Sequence, residues 1–302
     1  MTTRLTVADL AFFSAVAHAP SLTAAARTLD VTPSAVTQRL QDLERRLGVR
    51  LLERRGRTPT LTAEGELLAT RGVQIHDDVD ALEEALTQSS GVVSGHIRVL
   101  APLGFGRAHV APIVAAFRAR HAAVSVELML RDRLGKVPES AWDVAIHIGD
   151  TPTHSLRSIR LAGNERVLCA APAFVAQHGE PQSPADLVAL PCIALRENDE
   201  DVTLWRFTAP NGEVQQIRIA PVLSSNDGDV VREWALAGAG IIARSEWSVA
   251  DDLRRKRLTR LLPDYRLPSA DVLAFVAPRR GRSARVTAFV KLLRERLTNV
   301  AW

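Results

Sequence analysis

The sequence predicts a multi-domain protein with α and α/β parts: a helical N-terminal block, a long linking helix and a two-lobed α/β domain. Three observations predict this fold class. Residues 1–62 show helical spacing of apolar positions, residues 63–88 show a seven-residue apolar repeat, and residues 96–302 alternate strand and helix patterns. A chain of 302 residues is long enough for two or three domains.

Composition and charge narrow the class of protein. Apolar residues make up 46% of the chain and charged residues 24%, as in ordinary globular proteins. We find no run of about 18 apolar residues, the length that a membrane span needs. The N-terminus lacks a signal-peptide pattern, so we expect a cytoplasmic protein. Residues 1–62 carry a net charge of +4 and residues 63–88 a net charge of −6, which indicates an anionic partner for the first block.

Three helices are predicted in the N-terminal block. Thr6 caps the first helix, Ser21 caps the second, and Thr32-Pro33 opens the third with a capping hydroxyl followed by proline. The third helix stops at Gly48. The apolar positions at helical spacing are Val7, Leu10, Phe13 and Val16 in the first helix, and Val36, Leu40, Leu43 and Leu47 in the third.

The exposed face of the third helix carries short, uncharged hydrogen-bonding side chains: Ser34, Thr37, Gln38 and Gln41. Such groups can reach base edges in the major groove of DNA, where glutamine can make two hydrogen bonds to adenine. The following segment, residues 50–62, reads as two short strands around the basic tip Arg55-Gly56-Arg57-Thr58. Such a hairpin can act as a wing along the DNA backbone or minor groove. The block therefore predicts a winged helix-turn-helix, with the helix-turn-helix from Ser21 to Gln41.

Residues 12–68 resemble the winged helix-turn-helix of LysR-type transcriptional regulators. The matching positions are Ala25, Ala26, Leu29, Pro33, Ser34, Ala35, Val36, Leu43, Glu44, Leu47, Gly48, Leu51, Leu52, Arg54, Leu61, Thr62 and Gly65, while Thr37 stands where the family usually has Ser. The resemblance implies two sets of DNA contacts. Base edges would be met by Thr32, Pro33, Ser34, Thr37 and Gln38. The backbone or minor groove would be met by Arg39, Arg54, Arg55, Arg57 and Thr58.

The acidic segment predicts a dimerisation helix that begins after Thr62 and runs to about Gln88. Its apolar positions are spaced alternately four and three residues apart, as in the seam of a coiled coil. These positions are Leu68, Gly72, Ile75, Val79, Leu82 and Leu86. Residues 89–95 read as a hinge. A dimer would present two reading helices at a fixed spacing, which predicts double-stranded DNA with dyad-symmetric half-sites as the target.

Residues 96–302 predict two α/β lobes, lobe I from about 96–160 and 270–302, and lobe II from about 161–269. Residues 124–130 and 143–149 read as strands of a buried parallel sheet. This region resembles the periplasmic-binding-protein-like effector domain of the same family. The resemblance implies a small-molecule effector, a carboxylate or aromatic acid, between the lobes, and a homodimer or homotetramer. It also leaves RNA polymerase open as a further partner.

Candidate effector contacts follow strand ends, where ligands bind in α/β folds. Backbone N–H groups after the first strand could hold an anion, and Arg196 offers a fork for a carboxylate. Asn226 and Asp227 serve equally well as helix caps. The predicted pocket residues are Pro102, Leu103, Gly104, Phe105, His147, Gly149, Arg196, Asn198, Asn226 and Asp227.

Other functions are weighed against this interpretation. A redox-sensing regulator would use Cys169 and Cys192, although both lie in or beside apolar strands, where burial makes a thiol inert. An NAD-type enzyme is disfavoured because His109 occupies the place of the third glycine after Gly104 and Gly106. A ligand-free architectural DNA-binding protein would have little use for two lobes. We expect no enzyme activity, no cofactor and no metal.

Overall fold

The computed structural model describes residues 5–53, 60–87, 92–131, 137, 141–149, 157–196, 201–277, 283–298, 300 and 302. The chain divides into two compact units, Met1–Gly91 and Val92–Trp302. Within these ranges no helix has the length and apolar character needed to cross a bilayer.

The first unit is built on three short helices, α1 (Val7–His18), α2 (Leu22–Thr28) and α3 (Pro33–Leu47). The predicted caps are confirmed. The side chains of Thr6, Ser21 and Thr32 each accept a hydrogen bond from the first turn of their helix. Gly48 ends α3 in the left-handed conformation, with φ of +72°. The apolar faces of the three helices meet in one core that contains Phe13, Val36 and Leu43.

A two-stranded hairpin, β1 (Leu52–Glu53) and β2 (Thr60–Leu61), follows α3, and its strands pair antiparallel. Glu44 of α3 is buried and fixes the start of this hairpin. Its Oε1 atom accepts hydrogen bonds from the backbone N–H groups of Leu51 at 2.8 Å and Leu52 at 3.2 Å. The predicted wing tip, including Arg54, Arg55, Arg57 and Thr58, lies outside the described residues.

Replacing Glu44 by alanine should lower the free energy of unfolding of this unit by about 2 kcal/mol. The reason is that the Leu51 and Leu52 amides lose their acceptor, and a buried unsatisfied donor costs about 1–3 kcal/mol. Glu44→Gln keeps an acceptor oxygen and should lose less than half as much. Denaturant unfolding followed by far-UV circular dichroism measures both variants. Equal losses for alanine and glutamine would contradict the role of the acceptor.

The long helix α4 (Ala63–Thr87) leaves the hairpin and packs against α1. Gly65 and Gly72 permit two close approaches along it. A Cβ atom on Gly65 would lie 2.1 Å from the carbonyl oxygen of Leu51, and one on Gly72 would lie 3.3 Å from Cδ2 of Leu10. The first half of α4 is therefore part of the N-terminal core.

The second unit contains twelve strands and six α-helices in the part of the chain that the structure describes. The strands are β3 (Gly95–Pro102), β4 (Val124–Arg131), β5 (Val144–Ile148), β6 (Arg157–Ala162), β7 (Arg166–Ala170), β8 (Cys192–Leu195), β9 (Leu204–Thr208), β10 (Val214–Arg218), β11 (Pro221–Ser225), β12 (Ile241–Ser245), β13 (Thr259–Leu261) and β14 (Val272–Val276). The helices are α5 (Leu103–Phe105), α6 (Ala111–Arg120), α7 (Pro172–His178), α8 (Gly228–Leu236), α9 (Glu246–Arg254) and α10 (Ala284–Leu297).

Ten of these strands form two five-stranded sheets, one in each lobe, and β9 and β10 pair antiparallel as a separate hairpin. Lobe I has the order β4-β3-β5-β14-β6 and lobe II the order β11-β8-β12-β7-β13. The predicted parallel pairing holds for β3 with β4 and with β5. It is wrong for the rest of lobe I, because β14 returns from lobe II and pairs antiparallel with β5 and β6. In lobe II, β12 is parallel to β8 and antiparallel to β7. Both sheets are therefore mixed.

Candidate functional site

The first turns of α3 present the predicted row of polar groups to the outside. Thr32, Pro33, Ser34 and Gln38 are exposed, and Thr37 is half-buried. The Thr32 and Ser34 hydroxyls lie 3.0 Å apart, and the Thr37 hydroxyl donates to the carbonyl oxygen of Pro33 at 3.0 Å. These bonds hold the hydroxyl oxygens in fixed positions while leaving them able to accept. The arrangement suits contact with base edges, because the groups are short and already ordered.

Arg39 has a structural partner that the sequence did not reveal. Its Nη2 atom donates to the carbonyl oxygen of Ala8 at 2.9 Å, and its Cζ atom lies 4.5 Å from the centroid of the Phe12 ring. Arg39 therefore ties α3 to α1 by a hydrogen bond and a cation–π contact. A phosphate contact by Arg39 would have to use its remaining N–H groups.

The predicted dimer seam divides into two parts. Leu68 is half-buried against the N-terminal core and Gly72 is buried against Leu10, so both also contact their own chain, and their assignment to a seam stays a prediction. Further along the helix, the side chains of Ile75 and Leu82 are 48% and 60% exposed, and Val79 is half-buried. The side chain of Leu86 lies outside the described residues. Large apolar groups in a row on an exposed helix face favour association with another helix.

The second unit has a cleft of about 480 Å³ between residues of both sheets. Cationic, anionic and apolar groups share its walls, and the carboxylate among them, Asp201, pairs with Arg218 at 2.9 Å. The lining residues are His147, Ile148, Arg166, Ile193, Leu195, Asp201, Val202, Leu204, Trp205, Arg206, Ala243, Leu267 and Pro268. Of the residues predicted from sequence, only His147 is among them. The volume and the mixture of walls suit a small organic ligand.

The other predicted pocket residues near this cleft have different surroundings. Gly149 has a φ of +103°, and a Cβ atom there would lie 3.4 Å from Nη2 of Arg166. Arg196 is exposed, and its Nε atom donates to the Ser224 hydroxyl at 3.1 Å. Asn198 lies outside the described residues.

The segment after β3 meets lobe II. The prediction for Phe105 is wrong, because its side chain is fully buried in the core of lobe I. A Cβ atom on Gly104 would lie 3.2 Å from the Trp247 ring. Asp227 caps α8 by accepting the Asp229 N–H at 2.8 Å, which is the capping role considered from the sequence. Pro102 and Leu103 are half-buried, and Asn226 is exposed.

An ion pair joins the same two segments. Arg107 contacts the carboxylates of Asp229 and Asp227, the second at 3.7 Å. Near this pair, His109 packs against the rings of Phe105, Trp247 and Trp302 at centroid distances of 4.8, 5.6 and 5.1 Å. Burial lowers the pKa of the His109 imidazole, so the ring is favoured in its neutral form. This region therefore holds the lobes together by direct contact.

The two thiols do not support redox sensing. Cys169 and Cys192 are buried, and burial raises the pKa of each thiol to about 12. A thiol with such a pKa forms almost no thiolate near neutral pH, and the thiolate is the reactive form. Among the described residues, no cluster of histidine, cysteine and carboxylate side chains is suited to bind a metal ion.

Known proteins are similar to this chain in sequence and in fold. Residues 7–66 match the family model described as "Bacterial regulatory helix-turn-helix protein, lysR family", and residues 90–298 match the one described as "LysR substrate binding domain". The HTH-type transcriptional regulator DmlR of Escherichia coli (strain K12) is 36% identical over 287 residues, which cover 95% of this chain and 93% of that protein. The HTH-type transcriptional regulator PtxR of Pseudomonas aeruginosa is 32% identical over 285 residues, covering 94% and 91%.

Solved structures agree. CrgA, a LysR-type transcriptional regulator from Neisseria meningitidis, aligns with a TM-score of 0.62 and 26% identity over 98% of this chain and 100% of that chain. The Vibrio cholerae virulence activator AphB aligns with a TM-score of 0.64 and 22% identity over 96% and 98%, which shows a shared fold. These relatives are transcriptional regulators and not enzymes. The two solved structures share the N-terminal helices and the two-lobed domain described above. The chain belongs to the LysR family of bacterial transcriptional regulators.

Proposed function

We propose that this regulator reads a specific DNA sequence with the first turns of α3, in two copies joined through α4. The observation that carries the proposal is the exposed row Thr32, Pro33, Ser34 and Gln38, with the Thr37 hydroxyl held beside it. We assign residues 1–62 to DNA binding, residues 63–88 to dimerisation, residues 89–95 to a hinge and residues 96–302 to effector binding. The target is duplex DNA with two half-sites related by a dyad.

The second part of the proposal is a small-molecule effector in the cleft of about 480 Å³. Arg166 and Arg206 offer positive charge, while Trp205 and Leu267 offer flat and apolar walls. This combination suits a small aliphatic or aromatic acid. Binding would favour one arrangement of the lobes, and a coupling of about 1–3 kcal/mol to DNA affinity is typical of such regulation.

Replacing Gln38 by alanine should reduce discrimination at one base pair in each half-site by about 1–3 kcal/mol. Affinity for unrelated DNA should change less than twofold, because phosphate contacts supply it. Competition between a duplex selected from a random pool and a set of single-base variants measures both quantities. Gln41→Ala, one turn further along the same exposed face, is the matched control and should have the smaller effect. A uniform loss of affinity on all duplexes would contradict direct reading of bases by Gln38.

A further inference from the structure

Arg244 is a buried cation at the carboxyl end of the parallel strands of lobe II. It lies near the end of β12, and its side chain shares a face with Ile242, which packs under α8 and α9. Ala243, which points to the opposite face, lines the cleft. Only 4% of the surface of Arg244 is exposed. Because a guanidinium stays protonated in proteins, this is a buried positive charge.

The charge of Arg244 has no partner in the described part of the chain. Its Nε atom is buried without a hydrogen bond, and none of the ion pairs among these residues involves Arg244. The neighbouring Arg232 shows the usual arrangement, since its Nε atom donates to the buried Asp252 carboxylate at 2.5 Å. A buried charge is costly unless it is paired and hydrogen-bonded. A ligand of opposite charge would remove that cost.

Glycine at position 228 brings the guanidinium against the first turn of α8. A Cβ atom there would lie 2.3 Å from Nη2 and 2.6 Å from Cζ of Arg244, so a larger residue would displace the group. The N-terminus of a helix carries a partial positive charge and favours anions, so an arginine there is in the unfavourable position. The carboxylates of that turn, Asp227 and Asp229, pair with Arg107. Neither carboxylate forms an ion pair with Arg244, although the Asp227 carboxylate also caps the helix by accepting the Asp229 N–H.

Further unsatisfied polar atoms follow in the chain. Trp247 Nε1 and Ser248 Oγ are also buried without hydrogen-bond partners, within four residues of Arg244. Buried polar groups in proteins are nearly always paired, and exceptions call for an explanation such as a missing ligand. The segment 244–248 thus contains three buried polar atoms without hydrogen-bond partners, and the Asp252 Oδ1 oxygen is a fourth among the described residues.

We propose that Arg244 and the first turn of α8 form a binding site for an oxyanion, either the carboxylate of a small organic acid or a phosphate. The site lies on the α8 face of lobe II and is separate from the cleft proposed for the effector. The guanidinium would supply paired N–H donors, and the helix N-terminus would supply backbone N–H groups and the favourable end of its dipole.

Calorimetric titration of the full-length protein at constant ionic strength tests this site. The probes are acetate, malonate, succinate and benzoate for a carboxylate, and inorganic phosphate and sulfate for a tetrahedral oxyanion. We expect at least one probe to bind the wild-type protein. Arg244→Met should weaken that binding about 10- to 100-fold, the range for lost charged hydrogen bonds. Gly228→Ala should weaken it as well, because it displaces the guanidinium. Arg294→Met, which removes an exposed charge of lobe I, should leave it unchanged.

The unfolding temperature of the protein, measured without any added probe, provides a second test. We expect Arg244→Met to unfold at the same temperature as the wild type or higher, because it removes an unpaired buried charge. Arg232→Met, which breaks the pair with buried Asp252, should unfold at a lower temperature. If the unfolding temperature of Arg244→Met fell as much as that of Arg232→Met, Arg244 would have a structural role and the proposal would be overturned. The proposal would also be overturned by binding that survives Arg244→Met but is lost in Arg166→Gln, or by the absence of binding by every probe. None of these results would affect the proposed reading of DNA.

Discussion

Gly65→Ala is expected to destabilise the N-terminal unit strongly and to weaken DNA binding. The added Cβ atom would lie 2.1 Å from the Leu51 carbonyl oxygen, 3.1 Å from its carbon and 3.3 Å from Cδ2 of Leu61. The Leu51 oxygen cannot easily move, because it accepts the Thr62 N–H at 3.1 Å. Thr62 in turn donates its hydroxyl to the Arg50 carbonyl oxygen at 2.7 Å. Relief of the clash must separate the start of α4 from the hairpin.

The expected loss of stability is about 3 kcal/mol, the upper end for overpacked sites, because the contact is with backbone. All five tryptophans lie in the second unit, so tryptophan fluorescence reports on that unit alone. Far-UV circular dichroism of Gly65→Ala should therefore show an earlier transition that tryptophan fluorescence does not. Gly48→Ala is the matched control. Position 48 has a φ of +72° but no atom within 4 Å of the added Cβ, so only a conformational cost of about 1 kcal/mol is expected. Equal losses at the two glycines would contradict the backbone clash.

Ile75→Glu combined with Leu82→Glu is expected to convert the protein to monomers and to weaken DNA binding by about 100-fold or more. Both side chains are largely exposed on α4, so two carboxylates there should fold without strain. In a paired α4 seam, however, four charges would meet in an apolar contact. The loss of DNA affinity follows because two linked DNA-binding units gain about 10²–10⁴-fold from effective concentration.

Sedimentation and DNA titration measure the two effects of the double variant. Thr70→Glu is the matched control, since Thr70 is also exposed on α4 but lies about 140° around the helix from Ile75. It should retain the oligomeric state and the DNA affinity. A double variant that remains oligomeric and binds DNA normally would contradict pairing through this face.

Local signals made the helices of the first unit predictable from sequence. Thr6, Ser21 and Thr32 each cap a helix through a residue only three positions away, so the sequence contains both partners side by side. The dimer seam stays a prediction. A repeat of apolar positions does not distinguish burial against the same chain from burial against a second copy, and α1 covers Leu68 and Gly72.

Pocket residues were harder to predict because they come from distant parts of the chain. Arg166, Trp205 and Leu267 lie far apart in the sequence and line one cleft only after lobe II has folded. Phe105 was assigned from its place after a strand, but its apolar side chain is more stable in the core of lobe I. Arg244 carries no local signal at all, since an arginine in a strand usually reaches solvent. Only its burial beside Gly228 distinguishes it.

Selection of DNA from a random pool by the purified full-length protein tests the central claim most directly. If paired α3 helices read base edges, the recovered duplexes should contain two half-sites related by a dyad. Their centres should lie about one helical turn, or a small multiple of it, apart. Recovery of a single unsymmetrical site, or of duplexes with no shared sequence, would contradict reading of DNA by two copies of α3.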